Sequence, residues 1–109
     1  MSLRIHSTAL ELIELLRPLM PRIRRHDLSL AKQLSRSASS IALNIAEGEL
    51  SSGGNRRQRY QTAAGSASET RSALQVAQAW GYVNARDCAQ ALARLEHVLA
   101  VLYKLTLPS

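Results

Sequence analysis

Apolar residues along this chain recur in steps of three and four, the period of a helix with one buried face. Ile5, Ala9, Leu12, Ile13, Leu16 and Met20 form the first such stripe, widened by Leu10 and Leu15. It predicts a helix over about residues 3–20, capped by Ser2 or Ser7, bent or frayed near Pro18 and ended by Pro21. Pro21 to His26 then reads as a basic connector. Asp27 is suited to cap a second helix over about 28–48, where Leu30, Leu34, Ala38, Ile41 and Ile45 share a face and Gly48 supplies a stop. Ser51-Ser52-Gly53-Gly54 reads as a flexible loop. A third helix over about 56–80 carries a seam of Tyr60, Ala63, Ala67, Thr70, Leu74 and Ala77, with Gly81 as its stop. Asn84 caps a fourth over about 85–105, whose seam is Cys88, Leu92, Leu95, Leu99 and Leu102, with Ala91, Val98, Val101 and Leu105 as a second flank. Four helices with short connections predict one all-α domain over residues 1–109, an antiparallel up-down-up-down four-helix bundle. The apolar width of helices one and four predicts a subunit interface built mainly from those two.

Polar residues interrupt the two central helices at helical spacing. Residues at such positions are costly to bury unless they bind one another, so they predict a specific lock between helices. If helices two and three are antiparallel, facing residues have numbers summing to roughly 103 to 105 by a count of equal helical rise. That register sets Arg36 opposite Glu69, Ser39 and Ser40 opposite Gly65 and Ser66, Asn44 opposite Gln61, and Glu47 near Arg57. The predicted structural lock therefore comprises Arg36, Ser40, Asn44, Glu47, Gly65, Ser66 and Glu69. Small residues such as Ser35, Ser37 and Ser39 would let the helices approach closely.

Charge changes the functional picture more than the fold. The chain carries a formal net charge of +6, which favours polyanions, most simply nucleic acid. In an up-down bundle Arg22, Arg24 and Arg25 gather at one end with Arg17, His26 and Arg86, and Arg56, Arg57 and Arg59 gather at the other with Arg4 and Lys104. These six arginines (22, 24, 25, 56, 57 and 59) are the candidate phosphate contacts, and the alternative is a solvated rim that keeps an oligomer soluble. One tryptophan and three tyrosines leave few stacking platforms, which argues against base-specific recognition of single strands.

Other chemistry is not spelled out. His6, His26 and His97 stand far apart, with no Glu-x-x-His pattern and no spacing for metal ligands. Gly53-Gly54 lacks the Lys and Ser/Thr of a phosphate loop. The single cysteine, Cys88, forms no internal disulfide and reads as a small core residue. No catalytic, cofactor-binding or metal-binding residues are assigned, and no enzyme is expected. No secretory leader or membrane helix is recognised, and a cytoplasmic protein is expected.

The segment Leu30-x-x-Gln33-Leu34-x-Arg36-x-Ala38-x-Ser40-Ile41-x-x-Asn44-Ile45-Ala46-Glu47-Gly48 resembles the signature of the bacterial four-helix bundle family also called the 23S rRNA intervening-sequence proteins. Ala63-x-Gly65-Ser66-x-x-Glu69 and Gly81-Tyr82 continue the likeness, which covers about half the chain in detail. The connector departs from that pattern, being longer and basic up to Asp27, and Tyr60-Gln61-Thr62 replaces an aromatic-leucine pair. The resemblance implies a homopentameric ring without enzymatic activity or cofactor. It also implies kinship with the accessory variability determinant proteins of diversity-generating retroelements, basic pentamers that bind nucleic acid and work with a reverse transcriptase. Two functions follow as expectations: an RNA- or DNA-binding ribonucleoprotein accessory factor, RNA being favoured, or a scaffold that displays a surface to a protein partner.

Overall fold

The first apolar stripe does not end at the prolines. In a computed structural model describing residues 4–108, Ile5, Ala9, Leu12, Leu16, Leu19 and Ile23 are all buried, in alternating steps of four and three. The rod they face is helical throughout: α1 (Ile5–Leu16), a 3-10 turn (Arg17–Leu19) and α2 (Met20–His26). Pro18 and Pro21 each fall in the first turn of a new segment, where a missing N–H costs little. The expected connector at Pro21–His26 is thus corrected to helix. Ser7 lies inside α1 and caps nothing, while Ser2 and the residue-3 start lie outside the described residues.

A single extended residue, Asp27, separates α2 from α3 (Leu28–Glu49). Its Oδ1 accepts a hydrogen bond from the Leu30 amide at 2.9 Å, the expected cap. Gly48 does not stop the helix, which runs on to Glu49. Its reason is packing, because a Cβ there would collide with the ring of buried Tyr60.

Leu50–Ser52 connects α3 to α4 (Gly53–Ala79), so the Ser/Gly stretch is shorter as a loop than its composition implies. Gly53, at φ 57°, makes the turn into the helix. At the far end Gly81 has φ 82°. The Gly81 amide donates to the Gln78 carbonyl at 2.9 Å and the Tyr82 amide to the Ala77 carbonyl at 3.0 Å, a complete Schellman ending. In α5 (Ala85–Thr106) the Asn84 cap accepts from the Asp87 amide at 2.8 Å.

Packing follows chain order and closes on itself. α3 lies against α4, α4 against α5, and α1 against both α5 and α3, with α2 continuing along α3. The result is an all-α bundle of four rods, with no strand among the described residues. Leu12, Leu34, Ile41, Leu74, Leu95 and Leu102 are fully enclosed in its core. Of the second flank of α5, Ala91 and Val98 are buried where α5 packs between α1 and α4, and Val101 and Leu105 are half-buried. Large exposed apolar side chains include Leu10 of α1, Leu43 of α3, Leu50, Trp80 and Tyr103 of α5. Among the described residues no helix is long and apolar enough to cross a membrane.

Candidate nucleic-acid interface

The polar series of α3 and α4 divides into a hydroxyl seam and an exposed charged face. Ser37 and Thr70 are buried, and their hydroxyls meet at 2.8 Å. Thr70 Oγ1 also lies 2.8 Å from the Ser66 carbonyl, and Ser37 Oγ 3.2 Å from the Leu34 carbonyl. Each hydroxyl has one proton to donate. If Thr70 donates to Ser66, Ser37 must share its proton between Thr70 and Leu34. One turn along, the Ser40 and Ser66 hydroxyls meet at 2.8 Å. Asn44 Nδ2 donates to Ser40, to the carbonyl at 2.9 Å and Oγ at 3.0 Å. Among the described residues no buried side-chain nitrogen or oxygen lacks a partner.

The charged pairings take another form. Arg36 and Glu69 are exposed and make no ion pair among the described residues, and Glu69 Oε2 instead lies 3.5 Å from Gln33 Nε2. Asn44 turns back along its own helix instead of across to Gln61. Arg57 Nε donates to the Thr106 carbonyl at 3.2 Å, and among the described residues no bond joins it to the exposed Glu47. Gly65 is exposed, with no atom within 4 Å of where its Cβ would stand, so it does not mark a close approach within the chain. The physical reason is side-chain direction. Side chains lean toward the N-terminus of their own helix, so in an antiparallel pair contacting residues lie about one position further along each helix than a level count gives. The observed pairs Ser37–Thr70, Ser40–Ser66 and Gly48–Tyr60 all show that offset. It moves the position facing Arg36 toward Arg71, which turns away to Glu96 at 2.9 Å.

Arg36 instead joins a cationic groove. Arg24, Lys32 and Arg36 line a depression of about 370 Å³ along α2 and α3, floored by Ala31, Ser35 and Ser39 with no carboxylate among the lining residues. The expected place of Arg24 at one end of the bundle, with Arg22 and Arg25, marks it as a phosphate contact in the sequence. Lys32 and Arg36 join it only once Pro21–His26 is helical, which is why the sequence does not group the three. Arg25 is exposed, whereas Arg22 Nη1 is held by Asp87 Oδ2 at 2.8 Å. At the opposite end, Arg56 Nε donates to the Gly48 carbonyl at 3.0 Å, and Arg57 to Thr106. Both guanidinium groups thus lie at helix C-termini, where the dipole favours a cation. Arg59 borders a polar hollow of about 370 Å³ with Ser51, Asn55, Gln58 and Thr62.

One grouping is invisible in the sequence. The imidazole of His26 and the ring of Tyr82 stack with centroids 4.9 Å apart and planes 3° from parallel. The Trp80 indole continues the stack 6.4 Å from Tyr82 at 13°. Long sequence separation hides the contact between His26 and Tyr82.

Elsewhere the titratable groups point to structure. Burial pushes the Cys88 thiol up, the Asp87 carboxylate adds to this and Arg22 opposes it. A raised thiol pKa leaves little thiolate near neutrality. Burial likewise raises the Tyr60 phenol, Arg56 opposing and Glu49 adding. Among the described residues no three His, Cys, Asp or Glu side chains converge as a metal site would require.

Comparison with known proteins matches residues 2–104 to the model of the 23S rRNA-intervening sequence protein family. No curated protein matches. A crystal structure from Bacteroides thetaiotaomicron, described as a protein of unknown function from the S23 ribosomal protein family, superimposes with a TM-score of 0.85. The alignment has 18% sequence identity and covers 95% of this chain and 99% of that one, a likeness of fold.

Proposed function

Because this chain belongs to the 23S rRNA-intervening sequence protein family, we propose that it is a non-enzymatic, basic bundle protein that binds nucleic acid, RNA foremost, as an accessory factor of a ribonucleoprotein. One observation carries the reading: Arg24, Lys32 and Arg36 share a groove whose lining includes no carboxylate. Such a strip attracts successive phosphates by charge alone, without reading bases. Arg25 adds exposed charge at the same end and Arg59 a separate cationic point at the other, while Arg22, Arg56 and Arg57 have partners within the chain and contribute field more than direct contact. A homopentameric ring, as the family resemblance implies, repeats the groove around an axis and raises the local potential that a polyanion meets.

Binding of RNA and DNA measured against salt tests this. Arg24→Gln/Lys32→Gln/Arg36→Gln is expected to weaken binding and to flatten the plot of log affinity against log salt by about 2–3 in slope, roughly one for each phosphate no longer neutralised. Unchanged affinity and slope would remove the groove from the account. The second reading is a scaffold for a protein partner, such as a reverse transcriptase, and it is favoured by exposed Leu43 and Leu50, which phosphate binding does not use. Stoichiometric protein capture after nuclease treatment, abolished by Leu43→Ser/Leu50→Ser, would support it.

A further inference from the structure

We infer that the Trp80–Tyr82–His26 stack is a platform for an unpaired nucleobase, so that the nucleic acid bound at this end of the bundle is single-stranded. The inference rests on the nucleic-acid reading above and adds to it the strandedness of the ligand and the place where a base docks. Three observations converge. Trp80 is 70% exposed although its indole is the largest apolar group in the chain. Its plane lies within 13° of Tyr82, which itself lies within 3° of His26, so the flat faces are already aligned. The Schellman turn at Gly81 and the bond between Arg22 and Asp87 fix the two sides of the stack, one on α2 and one on the α4–α5 turn.

The surrounding charge suits a phosphate-bearing partner. Arg25 adjoins His26 in the chain, Arg86 adjoins Asp87, and both are exposed. The neighbouring carboxylates are engaged, Asp87 with Arg22 and Asp27 with the Leu30 amide. A flat π-face with exposed arginines on residues adjoining it in the chain suits a base and its phosphate, in any sequence, because every base has a π-face. A duplex hides those faces within its own stack and offers only phosphates.

Trp80 is the sole tryptophan, so fluorescence excited at the red edge of the band, where tyrosine does not absorb, reports this site alone. The full-length protein is titrated with oligoadenylate, with a blunt-ended RNA duplex of equal length and with polyphosphate. Saturable quenching by oligoadenylate, with binding but little quenching by polyphosphate, is the expected result. Trp80→Ala is expected to reduce single-strand affinity about 5- to 100-fold, to leave duplex affinity unchanged, and to be partly compensated in Trp80→Phe. Circular dichroism verifies that both variants remain helical. Single-strand binding by filter retention with no quenching overturns the platform and leaves the phosphate groove standing. Equal loss of duplex and single-strand affinity in Trp80→Ala also overturns it. Failure to bind any of the three polyanions overturns the nucleic-acid reading together with this inference. Quenching that appears on concentrating the protein alone assigns Trp80 to an interface between copies and overturns the platform as well.

Discussion

The two faces of the bundle hold together by different means. Between α1 and α5 the contact is built of large aliphatic groups, with Leu12, Leu16, Leu95, Val98 and Leu102 buried. Between α3 and α4 many buried groups are small, Ala38, Ala42, Ala63 and Ala67, and the hydroxyls of Ser37 and Thr70 are buried among them. Aliphatic packing is strong but weakly directional, and tolerates a shift that keeps its volume. A buried hydroxyl tolerates no shift that leaves it unbonded. The first face therefore holds mainly by volume, and the second, the most extensive contact in the bundle, also fixes how far one helix slides along its neighbour.

Substitutions on each face break this contrast in different ways. Leu95→Ala is expected to have the largest effect, a loss of about 2–5 kcal/mol in chemical denaturation, because Leu95 is fully enclosed. Thr70→Val keeps the shape but removes the hydroxyl that Ser37 meets, and is expected to cost about 1–3 kcal/mol. Ser37→Ala on that background should cost less than on the native protein, since only the longer bond to the Leu34 carbonyl is left to lose. Strict additivity in the double-mutant cycle would mean that the seam does not act as a unit. The smallest effects come from two glycines and have opposite signs. Gly48→Ala must displace the Tyr60 ring and is expected to lose about 1–2 kcal/mol net of its gain in helix propensity. Gly65→Ala meets nothing within 4 Å and is expected to gain about 0.5–1 kcal/mol. A loss at Gly65 measured in a sedimenting oligomer, but not in a dissociated one, would place that glycine against another copy.

Much of the fold is legible because apolar periodicity survives in a single sequence. Each of the seam positions expected on α3 and α4, from Leu30 to Ile45 and from Tyr60 to Ala77, is buried. Asp27 and Asn84 cap as their chemistry dictates. Pro21 misleads, because a proline has opposite meanings inside a helix and in its first turn, and only the buried Leu19 and Ile23 distinguish the two. In the polar series Ser40, Asn44 and Ser66 do meet, but Arg36, Glu47 and Glu69 do not join them, since a level count ignores the lean of side chains. Ser37 and Thr70 read in isolation as small filler and seam, although their alignment on one buried face signals a bonded pair. The ring stack gives no local signal, because His26 on α2 is remote in sequence from Trp80 and Tyr82 on the α4–α5 turn.

The one-residue joint at Asp27 has a consequence for how this family member can vary. With no slack between α2 and α3, the two segments behave as a rigid crank. Inserting a single amino acid at this extended joint would displace everything upstream by up to about 3.5 Å, carrying Arg24 away from Lys32 and His26 away from Tyr82 together. Length changes at this elbow are thus far less tolerable than amino-acid exchanges around it.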